Sequence, residues 1–569
     1  MPATTSDASR PRYQSRILFD QRVPMRDGVT LSADVFLPYT EGAPESSRRW
    51  PAILTRTPYV KATENMLEQG RWFAERGYAF VAMDVRGRGD SDGVFIPYFN
   101  EGRDGYDSIE WAAAQPWCDG AVGTLGGSYL GRIQWLAALE RPPHLRAMIV
   151  IVPPSDPFVE TPTGLPSPTH LCWLHYTSGR QTQLMEAVDW ERVYDHLPMF
   201  SMDEATGRGV MRRWREELEH SQLDDFWRPL CYQDKFDQLS VPTLHISGWY
   251  DDEQIGTPLN FHGMTTRAAT EEARRSQRLL MGPWGHRVNT TTKLGEVDFG
   301  DAALIDLAGE ELAWFDRWLR GVGADEPLTP ARLFIMGENV WRDEQEWPLA
   351  RTQWTRYHLR SAGSANSRFG DGALTIDAPP ADEASDHYRY DPARPTPFIT
   401  EPTSSQVGGP DDYAAVQRRD DLLVYQSEPL TRAVEVTGPV QVELVAASSA
   451  PDTDFTAMLL DVWPSGFAQR LTDSVARARF REGMDRPSLI TPGETYRYQI
   501  DCWNIAHVFR EGHRIAVQIA SAAFPKYDRN LNTGAPLGMT SELAVAEQTI
   551  YHDAERPSAI ILPIIPRPE

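Results

Sequence analysis

Apolar and polar positions change rhythm several times along the chain, and each change predicts an element. Ile17 to Pro24 and Leu31 to Pro38 carry strand character on either side of Arg26-Asp27-Gly28, a hairpin signal. Pro51 to Thr57 is a continuous apolar run closed by Pro58-Tyr59, the pattern of a buried strand. Glu64 to Arg76 predicts a helix and Tyr78 to Asp84 another buried strand. Asp104 to Ala114 is amphipathic through Tyr106, Ile109 and Ala113. Ala121 to Leu125 reads as a strand that meets Gly126-Gly127, then Ser128, then a helical pattern built on Ile133, Leu136, Ala137 and Leu139. Ala147 to Val152 is again a strand. Strand and helix in alternation predict a mostly parallel sheet.

At Pro153-Pro154 the rhythm is lost. Asp156 to about Gln238 is rich in Trp, His, Tyr and Met, with helical stretches near Leu184 to His196 and Gly209 to Glu219 and no convincing strand. This reads as a helical cap inserted into the sheet domain, with a separate interaction module as the alternative. The sheet resumes at Val241 to Gly248 and Gln277 to Gly282. Glu310 to Leu319 is a strongly amphipathic helix, and Arg332 to Gly337 is predicted as the last strand. From about Thr352 onward, alternating segments such as Val440 to Val445 and Ile515 to Ile519 predict an all-β sandwich or jelly roll. Residues 362–385, poor in apolar side chains, read as a mobile loop, and residues 1–15 as a frayed terminus.

Composition narrows the class. At 569 residues the chain exceeds a single hydrophobic core. A formal charge of −24 argues against nucleic-acid or anionic-membrane partners, which select basic patches. No apolar run approaches the roughly 18 residues of a membrane-spanning helix. The first ten residues lack the basic and apolar regions of a secretion signal. Cys118, Cys172, Cys231 and Cys502 are scattered and read as reduced, so a cytoplasmic location is expected. A homo-oligomer is left open.

The candidate chemistry centres on Ser128. A serine between a strand and a helix is the geometry of a nucleophile elbow, although the usual second glycine stands one position late, at Gly131 instead of Leu130. Asp84 to Gly93, with three glycines, lacks the spacing of a dinucleotide loop and reads as a structural turn. An elbow serine needs a base and an acid later in the chain, just past strand ends. Gly248-Trp-Tyr-Asp251 and Gly282-Pro-Trp-Gly-His286 both qualify, with Asp252 kept as the alternative acid. His245 is expected inside its strand and His262 on a helix. Neither a metal nor a nucleotide cofactor is indicated.

Gly126-x-Ser128-Tyr129-x-Gly131, Gly248-Trp-Tyr-Asp251 and Gly282-Pro-Trp-Gly-His286 resemble the cocaine esterase/X-prolyl dipeptidyl peptidase family of serine hydrolases. So do Arg56-Thr-Pro-Tyr59, Asp84-Val-Arg-Gly-Arg-Gly-x-Ser91-x-Gly93 and the stretch Phe524 to Gly534. The resemblance implies an α/β class chain: an α/β-hydrolase core in two parts (1–153 and 241–350), a helical cap insertion (154–240), and a β jelly-roll, galactose-binding-like domain (351–569). It implies Ser128 as nucleophile, His286 as base and Asp251 as orienting acid. The oxyanion would be held by the Tyr129 N–H and the Tyr59 phenol. Within the family, a carboxylate cluster binds the substrate ammonium in amino-ester hydrolases. Glu253 matches one such position and Gln254 replaces another, while Asp252, Asp156 or Glu160 could add charge. Trp173, His175, Tyr176 and Trp190 suggest a hydrophobic acyl or aryl group. The expected function is hydrolysis of small carboxylic esters, with α-amino acid esters or related β-lactam amides as a refinement. The alternatives are X-prolyl dipeptide release, against which the short N-terminal region counts, and a carbohydrate-binding or interaction protein with an inactive core.

Overall fold

The computed structural model describes residues 10–41, 48–403 and 408–567. Its first large sheet begins with the hairpin β1 (Gln14–Pro24) and β2 (Thr30–Tyr39), which turns at Gly28, where φ is +85°. Strands β3 (Trp50–Thr57), β4 (Ala79–Asp84), β5 (Cys118–Gly127), β6 (Leu145–Ile151), β7 (Thr243–Gly248) and β8 (Gln277–Gly282) follow. The order across the sheet is β1-β2-β4-β3-β5-β6-β7-β8, then Ala331–Ile335 and Val340–Glu344. From β4 to Ala331–Ile335 every neighbouring pair is parallel. Parallel strands are covered on both faces, which is why β4 and β7 are buried at every position and read as unbroken apolar runs.

The helices cover those faces. Glu64–Ala74 starts at Thr63, whose hydroxyl accepts the Met66 N–H, and it buries Phe73 and Ala74. Leu307–Arg320 is capped by Asp306 and stopped by Gly321 at φ +72°, with Leu312, Trp314 and Phe315 in the core. Two expectations are corrected here. The sheet does not end at Arg332 to Gly337, because Gly337 and Asn339, both at positive φ, reverse the chain into the antiparallel strand Val340–Glu344. Of the supposedly frayed terminus, residues 1–9 lie outside the described residues. Arg12 and Tyr13, however, donate to the Glu75 carbonyl, and Tyr13 packs edge-on against Trp50.

The inserted segment leaves the sheet after β6 and returns before β7. Its helices are shorter than the pattern predicts: Trp190–Tyr194 and Arg212–Glu219, with His170–Tyr176 unforeseen. Trp190, Trp214 and Leu218 form its core together with Phe480 and Leu537 from the C-terminal region. That region is an 11-stranded, mainly antiparallel array organised on the long pair Val434–Ser448 and Tyr496–Phe509. Its interior is apolar, including Leu444, Phe455, Ile500 and Val517. Residues 362–385 are not simply loop: Ala373–Thr375 pairs with His358–Arg360, and the Asp371 carboxylate accepts the N–H groups of Ala362 and Ser364. The β region is joined to the sheet domain by a bridge between Met336 and His507, and by Gln254, whose amide meets the backbone of Asn504.

Candidate active site

Ser128 stands between the last residue of β5 and the first residue of helix Tyr129–Leu139, at φ +56° and ψ −128°. A non-glycine residue in this region stores strain on the order of 1–3 kcal/mol and persists only when its surroundings enforce it. Here the Ser128 N–H donates to the Ile151 carbonyl (2.8 Å), and its own carbonyl accepts from Gly131 (2.8 Å). The displaced glycine has a steric reason. A Cβ on Gly131 would lie 3.0 Å from the Ile151 oxygen and 3.1 Å from the Pro153 ring. One on Gly126 would lie 2.4 Å from Leu130 Cβ. Tyr129, as the first helical residue, has an N–H with no intrahelical acceptor, and this N–H lies beside the serine.

Two carboxyl-terminal loops bring the acid and the histidine. Trp249 donates to the Gly282 carbonyl and Tyr250 to the Trp284 carbonyl (each 2.9 Å), so the loops after β7 and β8 are stitched together. A side chain at Gly248 would collide with the Trp284 carbonyl at 2.1 Å. Across this seam His286 Nδ1 lies 2.8 Å from Asp251 Oδ1, and Ser247 Oγ donates to Asp251 Oδ2 at 2.9 Å. Asp251 is 2 % exposed. Asp252 Oδ1 approaches the same His286 nitrogen at 3.5 Å. Burial disfavours charge on His286, but the Asp251 hydrogen bond and the charges of Asp252, Asp251 and Glu253 outweigh it and hold the imidazole above its ordinary value. Burial, and behind it mutual repulsion, pushes the carboxyls of Asp252 and Glu253 upward.

Tyr59 follows β3. Its phenol oxygen accepts from Trp173 Nε1 at 3.0 Å, and the Ser128 side chain lies close to it. Burial raises its pKa, so it remains a protonated donor. The Asp84 to Gly93 turn supports this corner. Asp84 accepts the Lys61 N–H at 2.7 Å, and Arg88 donates to the Pro58 carbonyl at 2.6 Å, next to Tyr59. Arg56 pairs with Glu101 at 2.6 Å, and Glu101 in turn accepts the Tyr129 hydroxyl at 2.8 Å, so the strand before Tyr59 is tied to the elbow helix.

Ser128, Tyr129, His286, Asp252, Glu253 and Trp173 line one cavity of about 240 Å³. Asp156 lines it too, but both its carboxylate oxygens accept backbone N–H groups, from Tyr232 (2.8 Å) and Gln233 (3.1 Å). Glu160 lies beside it, its carboxyl raised to about 7 by burial and accepting the Ser155 N–H. Of the four aromatic cap residues singled out, only Trp173 reaches the cavity wall. Trp190 packs in the cap and donates to the Met185 carbonyl, His175 is buried against Leu184, and Tyr176 lies against the Tyr59 ring. His245 is buried in β7 and His262 lies on the helix Gly256–Arg267, as expected. Gln254, which stands where a second carboxylate would be, is fully buried and turned to Asn504.

Sequence reasoning missed the wall supplied by the β region. Trp503, Lys526 and Tyr527 line the cavity, with Lys526 Nζ 2.8 Å from Asp473 and 4.4 Å from the Trp503 ring centre. The stretch Phe524 to Gly534 was visible as a motif, but nothing in it signalled that it reaches the serine. From the cap, Arg213 and Glu217 line it as well. The four cysteines are buried and unbridged, and no helix among the described residues is long and apolar enough to cross a membrane.

Comparison with known proteins agrees with this arrangement. The pattern of the X-Pro dipeptidyl-peptidase (S15 family) matches residues 27–288, and that of the X-Pro dipeptidyl-peptidase C-terminal non-catalytic domain matches 323–561. A cocaine esterase from Rhodococcus sp. (strain MB1 Bresler) is 36% identical, covering 96% of this chain and 98% of its own. Among solved structures, an α-amino acid ester hydrolase is 26% identical with a TM-score of 0.82, over 99% of this chain and 98% of that one. An aminopeptidase from a marine sediment Thaumarchaeota archaeon is 25% identical with a TM-score of 0.84, over 100% and 98%. With the serine elbow, the histidine–carboxylate pair and the β region in one arrangement, this chain belongs to the cocaine esterase/X-prolyl dipeptidyl peptidase family of serine hydrolases.

Proposed function

We propose that this serine ester hydrolase works through an acyl-enzyme on Ser128 and favours esters of α-amino acids. The observation that carries the first part is the His286–Asp251 contact of 2.8 Å in the cavity lined by Ser128 at its positive-φ turn. Ser128 Oγ attacks the ester carbonyl, its proton passes to His286 Nε2, and the carbonyl electron pair moves onto oxygen. The oxyanion is met by the Tyr129 N–H and the Tyr59 phenol. When the tetrahedral intermediate collapses, the C–O bond to the leaving alcohol breaks and His286 returns the proton to it. Water then repeats the sequence on the acyl-enzyme.

The amino-ester preference rests on the unspent acids. Glu253 Oε2 is buried without a hydrogen-bond partner, and Asp252 and Glu160 share the cavity with it. A substrate ammonium would satisfy that oxygen and lower the repulsion among the acids. The test compares kcat/KM for phenylglycine methyl ester and phenylacetic methyl ester, with Ser128→Ala as the blank. A large preference for the amino ester, lost in Glu253→Gln, is expected. Equal rates would make this a plain esterase.

The same acids would also accept a peptide N-terminus, and one structural neighbour is an aminopeptidase, so release of an X-Pro dipeptide from a chromogenic anilide is the second activity to assay. The four buried, unbridged cysteines suit a reducing compartment such as the cytoplasm.

A further inference from the structure

We propose that Asp252 is a positioning residue for the reaction, a second carboxylate that shares the Nδ1 side of His286 with Asp251. This rests on the acyl-transfer reading above and adds a residue to it. Asp251 and Asp252 are successive residues of one turn after β7, so their side chains would ordinarily diverge. Here one side-chain nitrogen or carboxylate oxygen from each of Asp251, Asp252 and His286 lies within 4.8 Å of the other two. Asp251 Oδ1 takes the short contact at 2.8 Å, and Asp252 Oδ1 sits at 3.5 Å. That Asp252 oxygen is buried and accepts no hydrogen bond. It is thus held at ion-pair distance from the imidazole with nothing else to satisfy it, while Asp251 Oδ2 is occupied by the Ser247 hydroxyl.

The charged groups around Asp252 favour the same role. Burial opposes its charge, His286 from the loop after β8 attracts it, Asp251 on its own turn repels it, and Lys526 from the β region attracts it from across the cavity, while Asp252 in turn repels Glu253. Lys526 keeps Asp473 as its partner at 2.8 Å, so Asp252 is not spent in a salt bridge with it. When His286 takes the serine proton, the positive charge forms 3.5 Å from Asp252 as well as 2.8 Å from Asp251. Either carboxylate then stabilises the imidazolium, and Asp252 becomes the remaining acceptor when Asp251 cannot serve.

The test uses phenylacetic methyl ester, which has no ammonium, so that substrate recognition by the acids is not measured. The wild type, Ser128→Ala, Asp251→Asn, Asp252→Asn and the double variant are compared by kcat/KM against pH, with the thermal midpoint as a fold control. Removing the Asp252 charge is expected to lower the pKa of His286, moving the acidic limb down by about one pH unit, a tenfold change in proton affinity. In the Asp251→Asn background, Asp252→Asn should cost roughly tenfold more than in the wild type, because coupled partners are not additive. An unmoved acidic limb, or an equal cost in both backgrounds, overturns the assignment and leaves the acyl-transfer reading intact. A wild type no faster than Ser128→Ala overturns both. If Asp252→Asn does not fold, Asp252→Ser serves as the second variant, and titration of the His286 ring nitrogens by NMR reads the same shift directly.

Discussion

Replacing Tyr59 by phenylalanine separates a phenol that acts on the reaction from one that merely packs. An indole N–H can only donate, so the Trp173 contact at 3.0 Å obliges the Tyr59 oxygen to accept. Its own proton stays available to a substrate oxygen, and the Ser128 side chain lies close by. In the proposed reaction a carbonyl oxygen turning into an alkoxide beside Ser128 would meet this donor in surroundings that burial has made poor at solvating charge. Loss of one such donor costs about 10²–10³ in kcat, or about 2.7–4 kcal/mol of transition-state stabilisation. The same substitution leaves Trp173 Nε1 without its acceptor, which costs about 1–3 kcal/mol of stability unless water from the cavity replaces it. Steady-state kinetics on the phenylacetate ester should show the loss in kcat with KM changed only a few-fold, and calorimetry a small fall in the thermal midpoint. If Tyr59→Phe keeps kcat within about threefold of the wild type, the phenol is packing and the oxyanion is held by backbone alone.

Two further outcomes follow from close contacts and from buried charge. Gly248→Ala places a methyl 2.1 Å from the Trp284 carbonyl, so the seam between the two loops must open. Differential scanning calorimetry should show a loss of about 1–3 kcal/mol, and kcat should fall with it because Asp251 and His286 lie on opposite sides of that seam. Glu217 is buried, which opposes its ionisation, yet Arg213 and His170 hold its carboxyl down to about 2 against an ordinary 4.5. A depressed carboxyl contributes stability above its unfolded pKa and loses it as pH falls toward the folded one, here between about 4.5 and 2. Unfolding followed over that window should be less steep in Glu217→Gln, whose stability near neutrality should already be lower by up to about 3 kcal/mol. An identical slope in both proteins would mean that the Glu217 pairing carries no net stabilisation.

Local chemistry determines much of this protein through residues adjacent in the chain. Apolar runs bounded by Gly and Pro located β3, β4, β7 and β8 to within a residue or two, because a parallel strand buried on both faces has no alternative pattern to offer. The elbow serine and the two glycine-rich strand ends were legible for the same reason: each depends on residues adjacent in the chain. The cap was less so. Its helices are short and are held by contacts to Phe480 and Leu537 more than two hundred residues away, so periodicity alone could not mark His170–Tyr176.

Tertiary structure alone decided what these pieces do together. Periodicity cannot rank Asp251 against Asp252, since both follow the same strand. The turn after Gly248 sets one at 2.8 Å and the other at 3.5 Å from the same nitrogen. Gly131 is out of place by the usual spacing and makes sense only against the Ile151 carbonyl and Pro153. Asp156 carries the charge expected of a substrate ligand, yet the fold turns it to two backbone N–H groups. Lys526 and Trp503 reach the cavity only because the β region docks through Gln254 and Met336. Short-range sterics and hydrophobic periodicity act over a few residues and leave their mark in the sequence, whereas sheet register and domain docking bring distant residues within hydrogen-bond reach without requiring any local pattern at either end.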